Sequence, residues 1–166
     1  YKFGDAIYLA KIETKYWIEY ICKRFENTGK HISPELAEEI CRLVDNHSSY
    51  VQQLSWLLWI RTINTATTEQ LSYALEDLLD QNNILFQSET ENLSAYQMNF
   101  LKAIVDGIHT KFSSKEVISK YNLGTSANIV RLKNALLQKE LIETNGKEIV
   151  LADPVFGVWF KKEMLY

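Results

Sequence analysis

A chain of 166 residues, 46% hydrophobic, 12% aromatic and 23% charged, has the material for a packed core and is too apolar for disorder. Its apolar runs are broken by Gln, Arg or Asn well before the roughly 18 residues of a membrane span, and Tyr1 to Lys15 lacks the pattern of a signal peptide, so no membrane partner is expected. The net charge of −3 is unevenly split, with 8 Lys/Arg against 14 Asp/Glu in residues 1–92 and 10 against 7 in residues 93–166, which suggests two modules and excludes a strongly basic nucleic-acid footprint.

Six Gly and two Pro punctuate the sequence, so helices should dominate. Phe3 to Ile12 has no clean helical period and reads as an extended lead-in. Trp17, Ile21 and Phe25 recur every four residues in a first helix from about Lys15 to Asn27, with Gly29 as its left-handed cap. Ser33-Pro34 starts a second helix whose stripe is Leu36, Ile40, Cys41 and Val44. Tyr50 to Ile63 is apolar on nearly every face (Val51, Leu54, Trp56, Leu57, Leu58, Trp59, Ile60), the pattern of a buried central helix. Thr67 with Gln70 forms a capping box, opening a helix with Leu71, Leu75, Leu78 and Leu79 inward. The polar run Gln87 to Asn92 reads as a linker, dividing a helical domain, residues 1–90, from a second domain, residues 91–166.

The second half opens with a capping box of Ser94 and Gln97 and a helix bearing Met98, Leu101, Ile104 and Val105. Ser113 with Glu116 reads as another box before a short helix ending at the turn Asn122-Leu123-Gly124. A helix from about Ser126 to Lys139 buries Ile129, Leu132 and Leu136. Leu141 to Thr144 and Glu148 to Leu151 flank Asn145-Gly146, a hairpin signal. Asp153-Pro154 caps a last helix with Phe156, Trp159 and Phe160. The expected fold is therefore mainly α: a helical bundle followed by a winged helix-turn-helix with a small β-hairpin.

Cys22 and Cys41 form no CxxC pair, and His31, His47 and His109 are not spaced to complete a zinc site, so no metal is expected. Free thiols point to a cytoplasmic protein. There is no GxxxxGK[ST] loop, GxSxG elbow or HExxH helix, and pairs such as Glu38-Glu39 and Glu76-Asp77 are splayed apart on their helices. Catalysis by this chain alone is not expected, and no catalytic residue is assigned.

Several ordered stretches carry a resemblance. They are Ile7-Tyr8-Leu9-Ala10-Lys11-Ile12 with Trp17, Ile21, Arg24-Phe25 and Gly29-Lys30; Asn46 to Leu54 continuing through Trp59-Ile60-Arg61-Thr62; and Leu151-Ala152-Asp153-Pro154-Val155-Phe156 with Trp159-Phe160. Together they resemble the C-terminal helical lid and winged helix of AAA+/STAND-type P-loop ATPases, particularly uncharacterised ATPases of Bacteroidetes and archaea. The resemblance implies an ATP-driven switch whose nucleotide-binding core lies in cis, with ATP and Mg held only there. It makes Asn46, His47 and Tyr50 candidates for the lid region that reports nucleotide state. The family usually has Pro after that His, whereas this sequence has Ser48, and Asn46 to Ser49 also reads simply as a cap for the following helix.

Two function classes follow. One is a regulatory portion that transmits nucleotide state to a protein partner. The other is a DNA-binding winged-helix module, or a transcription regulator with a helical sensing domain, in which Asn128, Arg131, Lys133, Asn134 and Gln138 of the recognition helix and Lys147 of the wing face the groove. The few cations favour the first.

Overall fold

The structure, a computed structural model, describes residues 10–164, so most of the lead-in Phe3 to Ile12 lies outside the described residues. The chain divides into two compact units, Tyr1–Leu78 and Leu79–Tyr166.

In the first unit, helix α1 (Thr14–Glu26) packs on α2 (Pro34–Leu43), and α2 packs on α3 (Ser48–Arg61). The four-residue recurrence on α1 buries Trp17, Ile21 and Phe25, and Gly29 adopts φ 74°. Ser33 caps α2 as expected, its side chain accepting from the Leu36 N–H at 3.2 Å, and Leu36, Ile40, Cys41 and Val44 are buried. An isolated parallel bridge joins His31 to Thr65: the His31 N–H donates to Asn64 O at 2.7 Å and the Ala66 N–H to His31 O at 2.8 Å. This ties the entry of α2 to the exit of α3.

Helix α3 corrects one expectation. It is not buried all round. Val51, Leu54, Leu57 and Leu58 form its inner face, whereas Trp56 is 57% and Ile60 51% exposed. The physical reason is partner count: among α1 to α3, only α2 packs on it extensively, and one helix cannot cover every face of another.

The long helix α4 (Thr68–Glu91) begins at the Thr67–Gln70 capping box and crosses the division between the units. Ala74, Leu71, Leu78 and Leu79 are buried, while Leu75 is only partly so. The run Gln87 to Asn92 is not a linker, since all but Asn92 continues α4. Two inward residues hold it helical. Phe86 lies between Phe156 and Trp159, and buried Thr90 donates its hydroxyl to the Phe86 and Gln87 carbonyls. The division into compact units falls within α4, before Leu79.

In the second unit, α5 (Ala95–Val105), α6 (Lys115–Tyr121), α7 (Ser126–Gln138), strands β1 (Ile142–Asn145) and β2 (Glu148–Leu151), and α8 (Pro154–Met164) follow in the order of a winged helix-turn-helix. The Ser94–Gln97 capping box is present. The cap of α6 is Ser114, not Ser113: its side chain accepts from the Val117 N–H. Asn122 and Gly124 adopt left-handed backbone at φ 48° and 83°, making the turn before α7. The antiparallel hairpin pairs Ile142 with Leu151 and Asn145 with Glu148, so its two-residue loop is Gly146-Lys147 and Asn145 belongs to the strand. Asp153 Oδ1 accepts from the Val155 and Phe156 N–H groups at 2.7 and 3.0 Å, and α8 buries Phe156, Trp159 and Phe160. Each such aromatic contributes roughly 1.5–3 kcal/mol of burial. The chain is mainly helical, with the helical region preceding a winged helix whose hairpin is its small sheet. No described helix is long and apolar enough to cross a membrane.

Candidate functional site

The turn between α2 and α3 gathers the first set of candidates. Asp45 and Asn46 both take left-handed backbone, at φ 47° and 53°, which short polar side chains tolerate. Asn46 is pinned to α1: its Nδ2 donates to Thr14 Oγ1 at 3.0 Å. Its Oδ1 lies 3.2 Å from the same hydroxyl. His47 is the N-cap residue of α3 but makes no side-chain cap, and its ring lies 4.8 Å from that of Tyr50. Its Nδ1 is buried without a hydrogen-bond partner among the described residues. Asn46, His47 and Tyr50 are thus neighbours at a helix entry braced against α1.

The same unit holds a feature that sequence reading missed. A cleft of about 480 Å³ lies between α1 and α3, lined mainly by apolar surface from Tyr20, Ile21, Phe25, Trp56 and Trp59. Its rim is built, not merely exposed. Lys30 Nζ sits 4.0 Å from the centre of the Trp59 ring and donates to the Trp59 carbonyl at 2.7 Å. Trp59 Nε1 donates to Thr28 Oγ1 at 2.9 Å, and the Arg24 guanidinium lies over the Tyr20 ring. Periodicity assigned Trp56 and Trp59 to a core because it registers apolarity on a helix and not which faces find a partner.

On the winged helix the second set of candidates is dispersed. Asn128 is half-buried: its Nδ2 donates to Leu123 O at 3.0 Å and closes the turn before α7. Arg131 is exposed beside Tyr96 and Gly124. Gln138 is exposed at the last residue of α7. Lys133, Asn134 and Lys147 come together instead in a separate cleft of about 420 Å³ between α7, the hairpin and the loop leading to α6. That loop supplies Lys111, which sequence reading passed over. It reaches the cleft because the Ile149 N–H donates to His109 O at 2.9 Å, a pairing across forty residues that no local pattern announces.

Both cysteines are free, and burial pushes the Cys41 thiol up to about 11, an inert form. Among the described residues, no group of three His, Cys, Asp or Glu is arranged to hold a metal ion.

The family described as "Probable winged helix domain" matches residues 84–162, a span that begins inside α4 and takes in Phe86. Among solved structures, the chain is similar to the Walker-type ATPase Paby2304 of Pyrococcus abyssi, with a TM-score of 0.68 and 18% sequence identity. The likeness covers 91% of this chain and 42% of that one, so this chain spans less than half the length of the protein it matches. No curated protein matches.

Proposed function

We propose that this chain is the C-terminal regulatory and partner-binding portion of an ATP-dependent switch ATPase. In this reading a P-loop core elsewhere in the same polypeptide binds ATP and Mg, and the assembly works in the cytoplasm. The likeness at fold level to less than half of a Walker-type ATPase supports it, together with the ordered lid and winged-helix motifs of the sequence. The observation that carries it furthest is the α1–α3 cleft. Soluble helices seldom leave two large apolar residues one turn apart, such as Trp56 and Ile60 of α3 at 57% and 51% exposure, unless another surface covers them, and Ile63 just beyond the helix is 83% exposed.

The occupant of that face is the P-loop core. Docking there would couple α1 and α3, and the braced Asn46–His47–Tyr50 turn between α2 and α3, to the nucleotide state by hinge motion. The winged helix then presents a surface to a protein partner. Base reading by α7 is the weaker alternative, because Asn128 already spends a donor on the turn and the wing carries Glu143 and Glu148 beside its single Lys147.

Calorimetry of this chain with Mg-ATP tests the division of labour. No affinity for Mg-ATP beyond that for Mg-tripolyphosphate is expected, since the residues that recognise the nucleotide are assigned to the core. Micromolar binding of Mg-ATP by this chain alone, in clear preference to Mg-tripolyphosphate, would overturn the proposal.

A further inference from the structure

The cleft on the winged helix has a chemistry of its own. Lys111, Lys133 and Lys147 line it from three separate elements, with His109, Thr110 and Ser113 supplying further polar groups. No carboxylate lines it. The ion pairs among the described residues join Lys11 to Asp45, Lys15 to Glu13, Arg42 to Glu39 and Arg61 to Asp77, so none of the three lysines is neutralised by an acid. Lys133 is half-buried, and Lys111 is held in left-handed backbone at φ 56°. Like charges brought into one concavity repel unless an anion lies between them.

We propose that this cleft binds a compact ligand bearing several phosphate groups, an oligophosphate or a multiply phosphorylated small molecule. Lysine ammonium groups bind phosphate as point charges, and hydroxyls such as Thr110 and Ser113 donate to the remaining oxygens. Phe112 is buried and stacked on Phe100, so its ring is not open as a platform for a nucleobase. A long duplex is the poorer fit. It would have to pass over the hairpin, where Glu143 and Glu148 are exposed, whereas a compact anion stays among the lysines.

The test is calorimetry with sodium tripolyphosphate, repeated with a duplex oligonucleotide and with a short polyglutamate peptide. One saturable tripolyphosphate site is expected, weakening as salt rises. Lys133→Gln should weaken it about tenfold and the Lys111→Gln, Lys133→Gln double variant by roughly a hundredfold, at unchanged melting temperature, as expected for lost charge-assisted hydrogen bonds. Arg131→Gln, outside the cleft, should leave it unchanged. Absence of saturable tripolyphosphate binding, or binding indifferent to the lysine substitutions, would overturn the proposal. So would polyglutamate binding as tightly, or duplex binding that is tighter and depends on Arg131.

Discussion

The two units place the same residue types in opposite situations. In the winged-helix unit, Phe86, Phe156, Trp159 and Phe160 pack edge to face and tilted, Trp159 is 1% exposed, and its Nε1 donates to Asn83 Oδ1 at 2.8 Å. In the helical unit, Trp56, Ile60 and Ile63 face outward, and Tyr20 and Trp59 wall a cleft. One aromatic set is spent on its own fold. The other is left for something to cover. An apolar residue therefore says little about its role until its neighbours are known, and the contrast yields a graded series of expectations.

The largest effect should come from Trp159→Ala. It removes a fully buried ring and orphans Asn83, and should cost about 3–5 kcal/mol, measured by denaturant unfolding of the second unit. A loss below about 1 kcal/mol would erase the distinction between the two aromatic sets. Next, Gly124→Ala should cost about 1–2 kcal/mol. Its φ of 83° disfavours any side chain, and the added Cβ would meet Asn128 Nδ2 at 3.2 Å, disturbing the turn that sets α7. Ser94→Ala should cost about 1 kcal/mol through loss of the α5 capping box.

A smaller effect depends on pH. Burial, then the negative charge of Asp153, raises the Glu89 carboxyl above its ordinary value of 4.5. The folded unit therefore favours the neutral acid, so this group stabilises below its unfolded value and that contribution is lost as pH rises through its folded one. At neutral pH, Glu89→Gln should stabilise by about 0.5 kcal/mol or less, with the gain vanishing in acid. Finally, Trp56→Ala should change stability by no more than about 0.5 kcal/mol, despite removing as large a ring as Trp159→Ala does.

Much of this fold was legible in the chain. Capping residues state helix starts locally, so Ser33, Thr67, Ser94 and Asp153 appear where the sequence places them. The misreadings share a different cause. Polar Gln87 to Glu91 stays helical beside Phe86, which packs on Phe156 and Trp159 of α8, far along the chain. Trp56 looked buried because a helical wheel does not show that α3 lacks a neighbour on that side. Of the candidate site residues, Lys133 and Lys147 were visible as cations, but their grouping with Lys111 rests on the His109–Ile149 pairing and could not be read locally.

The exposed aromatic face of the helical unit is the centre of this account, and tryptophan labelling tests it directly. Fluorine NMR of fluorotryptophan-labelled protein resolves Trp17, Trp56, Trp59 and Trp159, with Trp56→Phe assigning the key resonance. In this chain alone, Trp56 should be open to a soluble paramagnetic quencher while Trp159 is shielded. In a longer chain carrying the proposed P-loop core, Trp56 should become shielded and Trp159 stay unchanged. Trp56 equally open to the quencher in both chains would contradict it.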